Sequence, residues 1–314
     1  MPLSRLAPAK VNLGLHVLRR RDDGFHEIET VFAPLSWADE LTAEPHPGLA
    51  VTTSDPALPT DRGNLVWRAA EVLADWAGIA PQARLHLDKR VPYGAGLGSG
   101  SSDAAASLRL CADLWGLDVP EDVLHGLAEG LGADVPFFLK KGAMVGTGLG
   151  GDLAPLEKRE RGREGGGKGR TRGNPELAFA ASPPSASPWR CPFWLAVVVP
   201  PVHVSTAEAY ALVTPNHQDR PDLAAAIASN DLARWRREVT NDFEAPVVRR
   251  HPEVGAVLTA LRQSGAPWAA LSGSGSAVMG AFEDGGAAEG AVAAARAKGA
   301  RVWVEAPRSS PTRG

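Results

Sequence analysis

The sequence has few cysteines. Its 314 residues include only Cys111 and Cys191, and neither belongs to a Cys-x-x-Cys pair. Two cysteines cannot build the disulfide framework of a small secreted protein. We therefore expect a reduced, cytoplasmic compartment.

Long apolar runs are also missing. The longest is the short segment Leu195 to Val202, and the N-terminus reaches Lys10, His16 and Arg19 without a hydrophobic signal core. A membrane-spanning helix needs about 20 apolar residues. We expect neither a secretion signal nor a membrane span.

The charge is nearly balanced, with 33 Lys and Arg against 36 Asp and Glu, and 44% of the residues are hydrophobic. This hydrophobic content excludes a wholly disordered chain. A protein that coats nucleic acid needs a basic surplus to displace counterions from phosphate, and this chain has none. The length allows about two domains at roughly 150 residues each.

One segment departs sharply from this balance. Residues 158–173 contain seven basic residues, two acidic residues and six glycines, and a Ser/Pro-rich stretch follows from Ser182 to Pro188. Glycine and like charges both oppose ordering. We predict a flexible insertion over 158–190, between an N-terminal domain of residues 1–157 and a C-terminal domain of residues 191–307, with a tail at 308–314.

Strands and helices are predicted in an order that does not alternate strictly, which favours an α+β fold. Period-two alternation predicts strands, whereas apolar residues at helical spacing predict helices. The expected strands are Lys10–Leu18, Thr30–Leu35, Leu41–Thr42, Arg84–Lys89, Phe193–Val199 and a glycine-interrupted pair over Ala269–Phe282. The expected helices are Asn64–Trp76, Ala104–Trp115, Leu223–Val239, Pro252–Gln263 and Ala287–Lys298.

A glycine- and serine-rich loop follows a predicted strand and opens a predicted helix, an arrangement that binds phosphate through backbone N–H groups and the helix N-terminus. The pattern fits neither a dinucleotide fingerprint, because Ser99 and Ser101 stand where its last glycine is needed, nor a Walker A loop. A near match to Walker A at Gly162 to Lys168 lies in the low-complexity segment and lacks the final Ser or Thr. The predicted phosphate loop comprises Pro92, Tyr93, Gly94, Ala95, Gly96, Leu97, Gly98, Ser99, Gly100, Ser101 and Ser102.

Lys10 and Asp134 are the candidate catalytic pair. Asp134 lies in the stretch Gly132 to Phe138 and could accept a proton from a substrate hydroxyl, although capping a helix is an alternative role. Lys10 shares one face of a predicted strand with Asn12 and needs an acidic partner there, although lysines also serve to blunt edge strands. The histidines show no metal-ligand spacing, so zinc is not supported.

The order of these stretches resembles the GHMP kinase superfamily, which combines an early lysine, this phosphate loop and a late glycine/serine stretch, here Leu271 to Ala277. Four further stretches narrow the resemblance to the 4-diphosphocytidyl-2-C-methyl-D-erythritol kinase family of the non-mevalonate isoprenoid pathway. They are Ala7–Leu13, Asp23–His26, Gly132–Phe137 and Asn241–Glu244.

The resemblance implies an ATP- and Mg²⁺-dependent kinase acting on the 2-hydroxyl of that cytidyl alcohol. Asp134 would be the general base, Lys10 would steady the transferred phosphoryl group, and Lys89 would lie beside the nucleotide that the phosphate loop holds. Substrate would be bound by Asn12, Phe25, His26, Thr206, Tyr210, Gly273 and Ser274, with Phe25 and Tyr210 on either face of the cytosine.

The implied fold has an N-terminal domain like ribosomal protein S5 domain 2 and a ferredoxin-like C-terminal domain, with the active site between them. The expected partner is the small-molecule substrate, without nucleic acid or membrane, in a monomer or weak homodimer. Three residues depart from the family pattern. Phe25 stands where the family usually has tyrosine, Tyr210 where phenylalanine is common, and Ser99 where glycine is usual. Each change is tolerable, provided that Ser99 has a negative φ.

Three other functions stay open at this point. The same fold could phosphorylate another alcohol, such as homoserine or a mevalonate derivative, or it could bind nucleotide without catalysis. A third possibility is that the basic insertion binds nucleic acid, but the net charge of −8 on the rest of the chain, which follows from the full sequence, weighs against it.

We predict that the segment Lys158 to Pro188 is dispensable. Lengthening a loop costs only about 0.6 kcal/mol per doubling, so its replacement by a short Gly/Ser linker should preserve the melting temperature and the steady-state kinetics. Loss of folding would contradict this prediction. So would a rise in KM confined to low salt, which would show that the basic residues attract the anionic nucleotides.

Overall fold

A computed structural model describes residues 2–157 and 189–307 of the chain. The α+β class is confirmed. The strands are β1 (Leu3–Arg20), β2 (His26–Glu44), β3 (Leu49–Thr53), β4 (Ala83–Asp88), β5 (Met144–Thr147), β6 (Asp152–Pro155), β7 (Trp194–Val199), β8 (Trp268–Leu271), β9 (Val278–Phe282) and β10 (Arg301–Glu305). The helices are α1 (Leu65–Ala77), α2 (Ser99–Trp115), α3 (Glu121–Leu131), α4 (Val135–Leu139), α5 (Thr206–Leu212), α6 (Leu223–Ala228), α7 (Leu232–Glu238), α8 (Glu244–Arg250), α9 (Pro252–Gln263) and α10 (Gly285–Ala297).

The first sheet is built around the long strand β2. Its order is β3-β4-β2-β5-β6, and β1 also pairs with β2. All pairings are antiparallel except that of β3 with β4. The apolar faces of α1 and α2 share a buried cluster with β4, which fixes α2 against this sheet.

The second sheet has the order β10-β7-β9-β8 and is antiparallel throughout. Its strand β7 is almost wholly apolar and almost wholly buried, as the sequence WLAVVV predicts. The described residues contain no helix with the length and hydropathy of a membrane span.

One buried cluster joins the two halves of the chain. It contains Leu13 of β1 and Val31 of β2 together with Val197 of β7 and Trp235 of α7. Strand β1 also bonds directly to the second half, since Leu15 N donates to Thr240 O at 2.9 Å. The two sheets are therefore packed on a shared core, which holds the surfaces between them in a fixed relation.

The predicted insertion over 158–190 lies outside the described residues except for its last two positions. Trp189 is buried, and its backbone N–H donates to Leu156 O at 2.9 Å. Its indole packs against Trp235. Trp189 therefore belongs to the shared core, although it falls within the predicted insertion.

Other predicted elements differ in their bounds. The segments Thr30–Leu35 and Leu41–Thr42 form the single strand β2, and α2 starts at Ser99, five residues before the prediction. The helix predicted over Leu223–Val239 is two helices. It breaks at Asn230, which has a φ of 54°, because Asp231 turns its side chain to cap α7 at Ala233 N and Arg234 N.

We predict that Asp231→Ala lowers the free energy of unfolding by about 1 kcal/mol, because two N–H groups of α7 lose their acceptor. Chemical denaturation measures this change. Ser205→Ala is the matched control, since Ser205 occupies the N-cap position of α5 without a side-chain cap bond. Equal effects of the two substitutions would contradict the capping role of Asp231.

Candidate active site

A cleft of about 1040 Å³ opens where β1, the phosphate loop, α4 and α5 meet. It gathers residues that are far apart in the sequence and come from both halves of the chain. Among the predicted site residues, the lining includes Lys10, Asn12, Phe25, His26, Tyr93, Gly94, Ala95, Gly96, Gly98, Ser99, Gly100, Ser101, Asp134, Thr206, Tyr210, Gly273 and Ser274.

The phosphate loop runs from the end of β4 to the start of α2. Gly94, Gly96 and Gly98 have φ values of 68°, 78° and 65°, which side chains rarely tolerate. Ser99 is the first residue of α2 and has no positive φ, so the condition for its replacing glycine is met. Ser99, Gly100 and Ser101, the first residues of α2, line the cleft together with the loop, and the N–H groups of a first helical turn have no partner within the helix.

Gly96 lies against the late glycine/serine stretch. A Cβ at this position would stand 2.2 Å from Ser272 O, so only glycine fits. Ser272 Oγ donates to Gly96 O at 3.0 Å and accepts from Asn12 N at 3.1 Å. Ala277 N donates to Ala95 O at 2.9 Å. The second half of the chain therefore holds the phosphate loop by hydrogen bonds to the backbone carbonyls of Ala95 and Gly96.

Asn241, the first residue of the stretch Asn241–Glu244, is bonded to the late glycine/serine stretch that contacts the phosphate loop. Its side-chain amide donates to Leu271 O at 2.8 Å and to Gly273 O at 2.9 Å, while its Oδ1 accepts from Phe243 N. These bonds fix the strand end that presents Gly273 and Ser274 to the cleft.

Lys10 and Asp134 form an ion pair, with Nζ 3.2 Å from Oδ2. The Lys10 side chain is only 4% exposed, whereas 34% of the Asp134 side chain is exposed to the cleft. Asp134 stands at the N-cap position of α4 but makes no side-chain cap bond. The capping role that the sequence left open is therefore absent, and the carboxylate is free to face a ligand.

Asn12 orients Lys10. Its Oδ1 accepts from Lys10 Nζ at 2.7 Å, and its Nδ2 donates to Thr30 Oγ1 at 2.8 Å. Thr30 Oγ1 in turn donates to Gly14 O at 2.6 Å. The Asn12 side-chain amide therefore satisfies its hydrogen bonds in one orientation only, with Oδ1 toward Lys10 and Nδ2 toward Thr30. Lys10 Nζ also donates to Gly96 O at 3.3 Å, which places the ammonium beside the phosphate loop.

Aromatic residues line the other end of the cleft. Phe25 is 62% exposed, and His26 stacks on Tyr210 with ring centroids 4.8 Å apart. Burial, and secondarily the charge of Asp134, raises the pKa of Tyr210 to about 12. Burial and the charge of Arg20 lower the pKa of His26. Near neutral pH the imidazole is therefore uncharged and offers one donor and one acceptor.

Four predicted residues do not line this cleft: Lys89, Pro92, Leu97 and Ser102. Leu97 is buried in the shared core, and Ser102 faces away from the cleft toward the side lined by Arg5 and Arg109. The ammonium of Lys89 is buried between Asp39 and Asp103, at 2.6 Å from each carboxylate. The charge of Lys89 is therefore already paired inside the protein, and its position beside the nucleotide stays a prediction.

Several residues of the site were not singled out from the sequence. Ser272, which belongs to the late glycine/serine stretch but was not named individually, bonds to the phosphate loop at Gly96 O. Thr30 accepts from the Asn12 amide, and nothing in its local sequence indicates this partner. Arg21 also lines the cleft, as Phe25 does. Glu129 and Asp152 also line the cleft. Residues 2–157 and 189–307 contain no cluster of three His, Cys, Asp or Glu side chains suited to a metal ion.

Comparisons with known proteins agree with this geometry. The model of the GHMP kinases N-terminal domain matches residues 64–142, and that of the GHMP kinases C-terminal domain matches residues 223–301. A 4-diphosphocytidyl-2-C-methyl-D-erythritol kinase of Salinibacter ruber is 47% identical over 305 residues, which cover 97% of this chain and 98% of that protein. One of Chlorobium phaeobacteroides is 40% identical over 287 residues, with 90% of each chain covered.

Solved structures show the same relation. A crystal structure of 4-(cytidine 5'-diphospho)-2C-methyl-D-erythritol kinase has a TM-score of 0.73 and 35% identity, and the match covers 98% of this chain and all of that one. Homoserine kinase from Cytophaga hutchinsonii, at 18% identity and a TM-score of 0.66, shares the fold. The chain therefore belongs to the 4-diphosphocytidyl-2-C-methyl-D-erythritol kinase family of the GHMP kinases, and it is a kinase that uses ATP.

Proposed function

We propose that this kinase transfers the γ-phosphoryl group of ATP to the 2-hydroxyl of 4-diphosphocytidyl-2-C-methyl-D-erythritol, in the non-mevalonate synthesis of isoprenoid precursors. The observation that carries the proposal is the position of the Lys10–Asp134 pair. It lies in one cleft with a phosphate loop and with a pocket of aromatic side chains. The relatives named for this activity match 97% and 98% of this chain.

Asp134 is the proposed general base. As the acceptor hydroxyl attacks the γ-phosphorus, its proton passes to the Asp134 carboxylate, a new O–P bond forms, and the bond to the ADP oxygen breaks. Lys10 keeps the carboxylate oriented and offsets negative charge that builds up on the transferred group. Phosphoryl transfer depends mainly on positioning and charge, which a buried ammonium fixed by Asn12 supplies.

We assign the triphosphate to the phosphate loop. Glycines with positive φ allow backbone N–H groups to converge on a bound anion, and the N-terminus of α2 adds partial positive charge. Because Gly96 O accepts from Lys10 Nζ, the loop and the catalytic lysine are joined. ATP bound here would present its γ-phosphate near Asp134.

The aromatic end would hold the cytosine between Phe25 and Tyr210. In the structure the His26 ring stacks on Tyr210. A cytosine that enters between Phe25 and Tyr210 would replace the imidazole on the face of Tyr210. The displaced neutral imidazole could then bond the polar edge of the base. Thr206 and Ser274, whose hydroxyls lie 3.1 Å apart, and Gly273 complete the proposed acceptor site.

Mg²⁺ is the proposed metal, carried in with ATP. Mg²⁺ commonly keeps several waters and uses one or two carboxylates together with substrate phosphates. The carboxylates that line the cleft, Glu129, Asp134 and Asp152, fit such sparse ligation, since the described residues contain no dedicated cluster. When bound, the ion would neutralise phosphate charge.

The remaining proposals concern the setting of the enzyme. We propose a cytoplasmic protein that acts as a monomer or weak homodimer on a small molecule, without nucleic acid or a membrane as partner. Neither described cysteine forms a disulfide, which fits a reducing compartment. The alternative function is a kinase that phosphorylates another alcohol, and the two functions differ in which acceptor the pocket binds.

We predict that Asp134→Asn lowers the phosphoryl-transfer rate by about 10²-fold or more, because the amide cannot take the proton. Calorimetry should show ATP binding preserved. Asp113→Asn is the control, since it removes a carboxylate that is paired with Arg5 on the surface and does not line the cleft. Wild-type turnover by the Asp134→Asn variant would exclude the assigned base.

We predict that Phe25→Ala and Tyr210→Ala each weaken binding of the cytidyl substrate by roughly 1–3 kcal/mol, the usual contribution of base stacking, without changing ATP affinity. Tyr93→Ala is the control for Phe25→Ala, because Tyr93, on the phosphate loop, is 63% exposed and Phe25 is 62% exposed. If calorimetry finds normal substrate affinity in both Phe25 and Tyr210 variants, the stacking assignment is wrong.

A further inference from the structure

Behind the phosphate loop lies a buried ion cluster of Asp39, Lys89 and Asp103. Lys89 Nζ is 2.6 Å from Asp39 Oδ2 and 2.6 Å from Asp103 Oδ2. The three side chains are 0 to 4% exposed, and none of them lines the cleft. The cluster therefore cannot act by touching a ligand in the present arrangement.

The cluster connects the two ends of the loop to one strand. Asp39 belongs to β2, Lys89 lies shortly before the loop, separated from it by Arg90 and Val91, and Asp103 lies in α2 just after it. Asp39 Oδ1 also accepts from Arg90 N at 2.5 Å and Val91 N at 2.7 Å, so it fixes the loop entry through the backbone as well.

The two carboxylates are held unequally. Asp39 accepts from three donors, whereas Asp103 accepts from Lys89 alone, and its Oδ1 has no partner among the described residues. Burial, opposed by the charge of Lys89, raises the pKa of Asp103 to about 7. Buried ion clusters contribute little net stability, because desolvation offsets the attraction. Their directional bonds do constrain geometry, and here they constrain the loop.

We propose that Asp39, Lys89 and Asp103 are positioning residues that set the affinity for ATP by holding the entry and exit of the phosphate loop against β2. With both ends fixed, the N–H groups of the loop converge on the phosphates at no further cost in ordering. The inference rests on ATP use by this kinase and is independent of which alcohol is the acceptor.

A direct contact between Lys89 and nucleotide makes the opposite prediction. If the ammonium touched phosphate, removing a competing carboxylate would free it and tighten ATP binding. If the cluster acts through the loop, the same change weakens ATP binding although Lys89 is retained. Substitutions at Asp39 and Asp103 therefore separate the two accounts.

The experiment measures the ATP dissociation constant by calorimetry at fixed Mg²⁺ without any acceptor. Asp39→Asn should raise this constant about tenfold, the equivalent of one lost charge-assisted bond. Asp103→Ala leaves a one-to-one ion pair of Lys89 with Asp39, so it should fold, and we expect a rise of about fivefold. Asp103→Asn retains an acceptor for Lys89 and should restore affinity to within about twofold.

Glu40→Gln is the matched control. It removes the Glu40–Arg90 ion pair, which joins the same strand to the same loop entry but is partly exposed, and it should leave ATP affinity unchanged. In the folded variants, the KM for ATP should change with the dissociation constant while the KM for the acceptor stays constant. Unchanged or tighter ATP binding in Asp103→Ala would overturn the proposal, whether or not Asp39→Asn folds. If the enzyme did not phosphorylate the cytidyl alcohol, the proposed function would be wrong, but this proposal about ATP affinity would still hold.

Discussion

The site depends on one buried charge, the ammonium of Lys10. An ammonium removed from water must be surrounded by acceptors, or its burial costs several kcal/mol. In this protein the acceptors are Asn12 Oδ1, Gly96 O and the carboxylate of Asp134. Each comes from a different part of the site, so satisfying the charge also fixes the distance between the phosphate loop and the proposed base.

The shared core makes that arrangement rigid. Strand β1 carries Lys10 and Asn12, pairs with β2 along most of its length, and bonds to Thr240 and Asp242 of the second half. Ser272 then joins β1 to the phosphate loop. Lys10, the phosphate loop and the cleft residues of the second half are therefore held together by segments that are distant in the sequence. This explains why the recognisable stretches are spread over the whole chain.

The sequence predicted the features that leave local patterns. The glycine- and serine-rich loop and the period-two strands are such local patterns, and the structure contains both. Long-range pairing is not local. Nothing near Lys89 indicates that two carboxylates, 50 and 14 positions away, enclose its ammonium, and nothing near Trp189 separates it from the Ser/Pro-rich segment before it.

The resemblance to the kinase family indicated roles for residues that the spacing of residues in the sequence left undecided. The residue pattern alone left Asp134 as a base or a cap, and only the structure shows that it makes no cap bond. The acceptor residues Thr206 and Tyr210 were named from the family, and the structure places them in the cleft with Phe25 and His26. Their roles toward a cytosine are proposals, because stacking depends on where the rings move when a base enters.

The central claim is that this cleft selects a cytidyl alcohol as the acceptor. It is tested most directly by comparing kcat/KM for 4-diphosphocytidyl-2-C-methyl-D-erythritol with the values for mevalonate, homoserine and galactose under the same ATP and Mg²⁺ conditions. A pocket that stacks and hydrogen-bonds the base should prefer the cytidyl substrate by on the order of 10⁴-fold. Equal or greater efficiency with any of the other three alcohols would contradict the account.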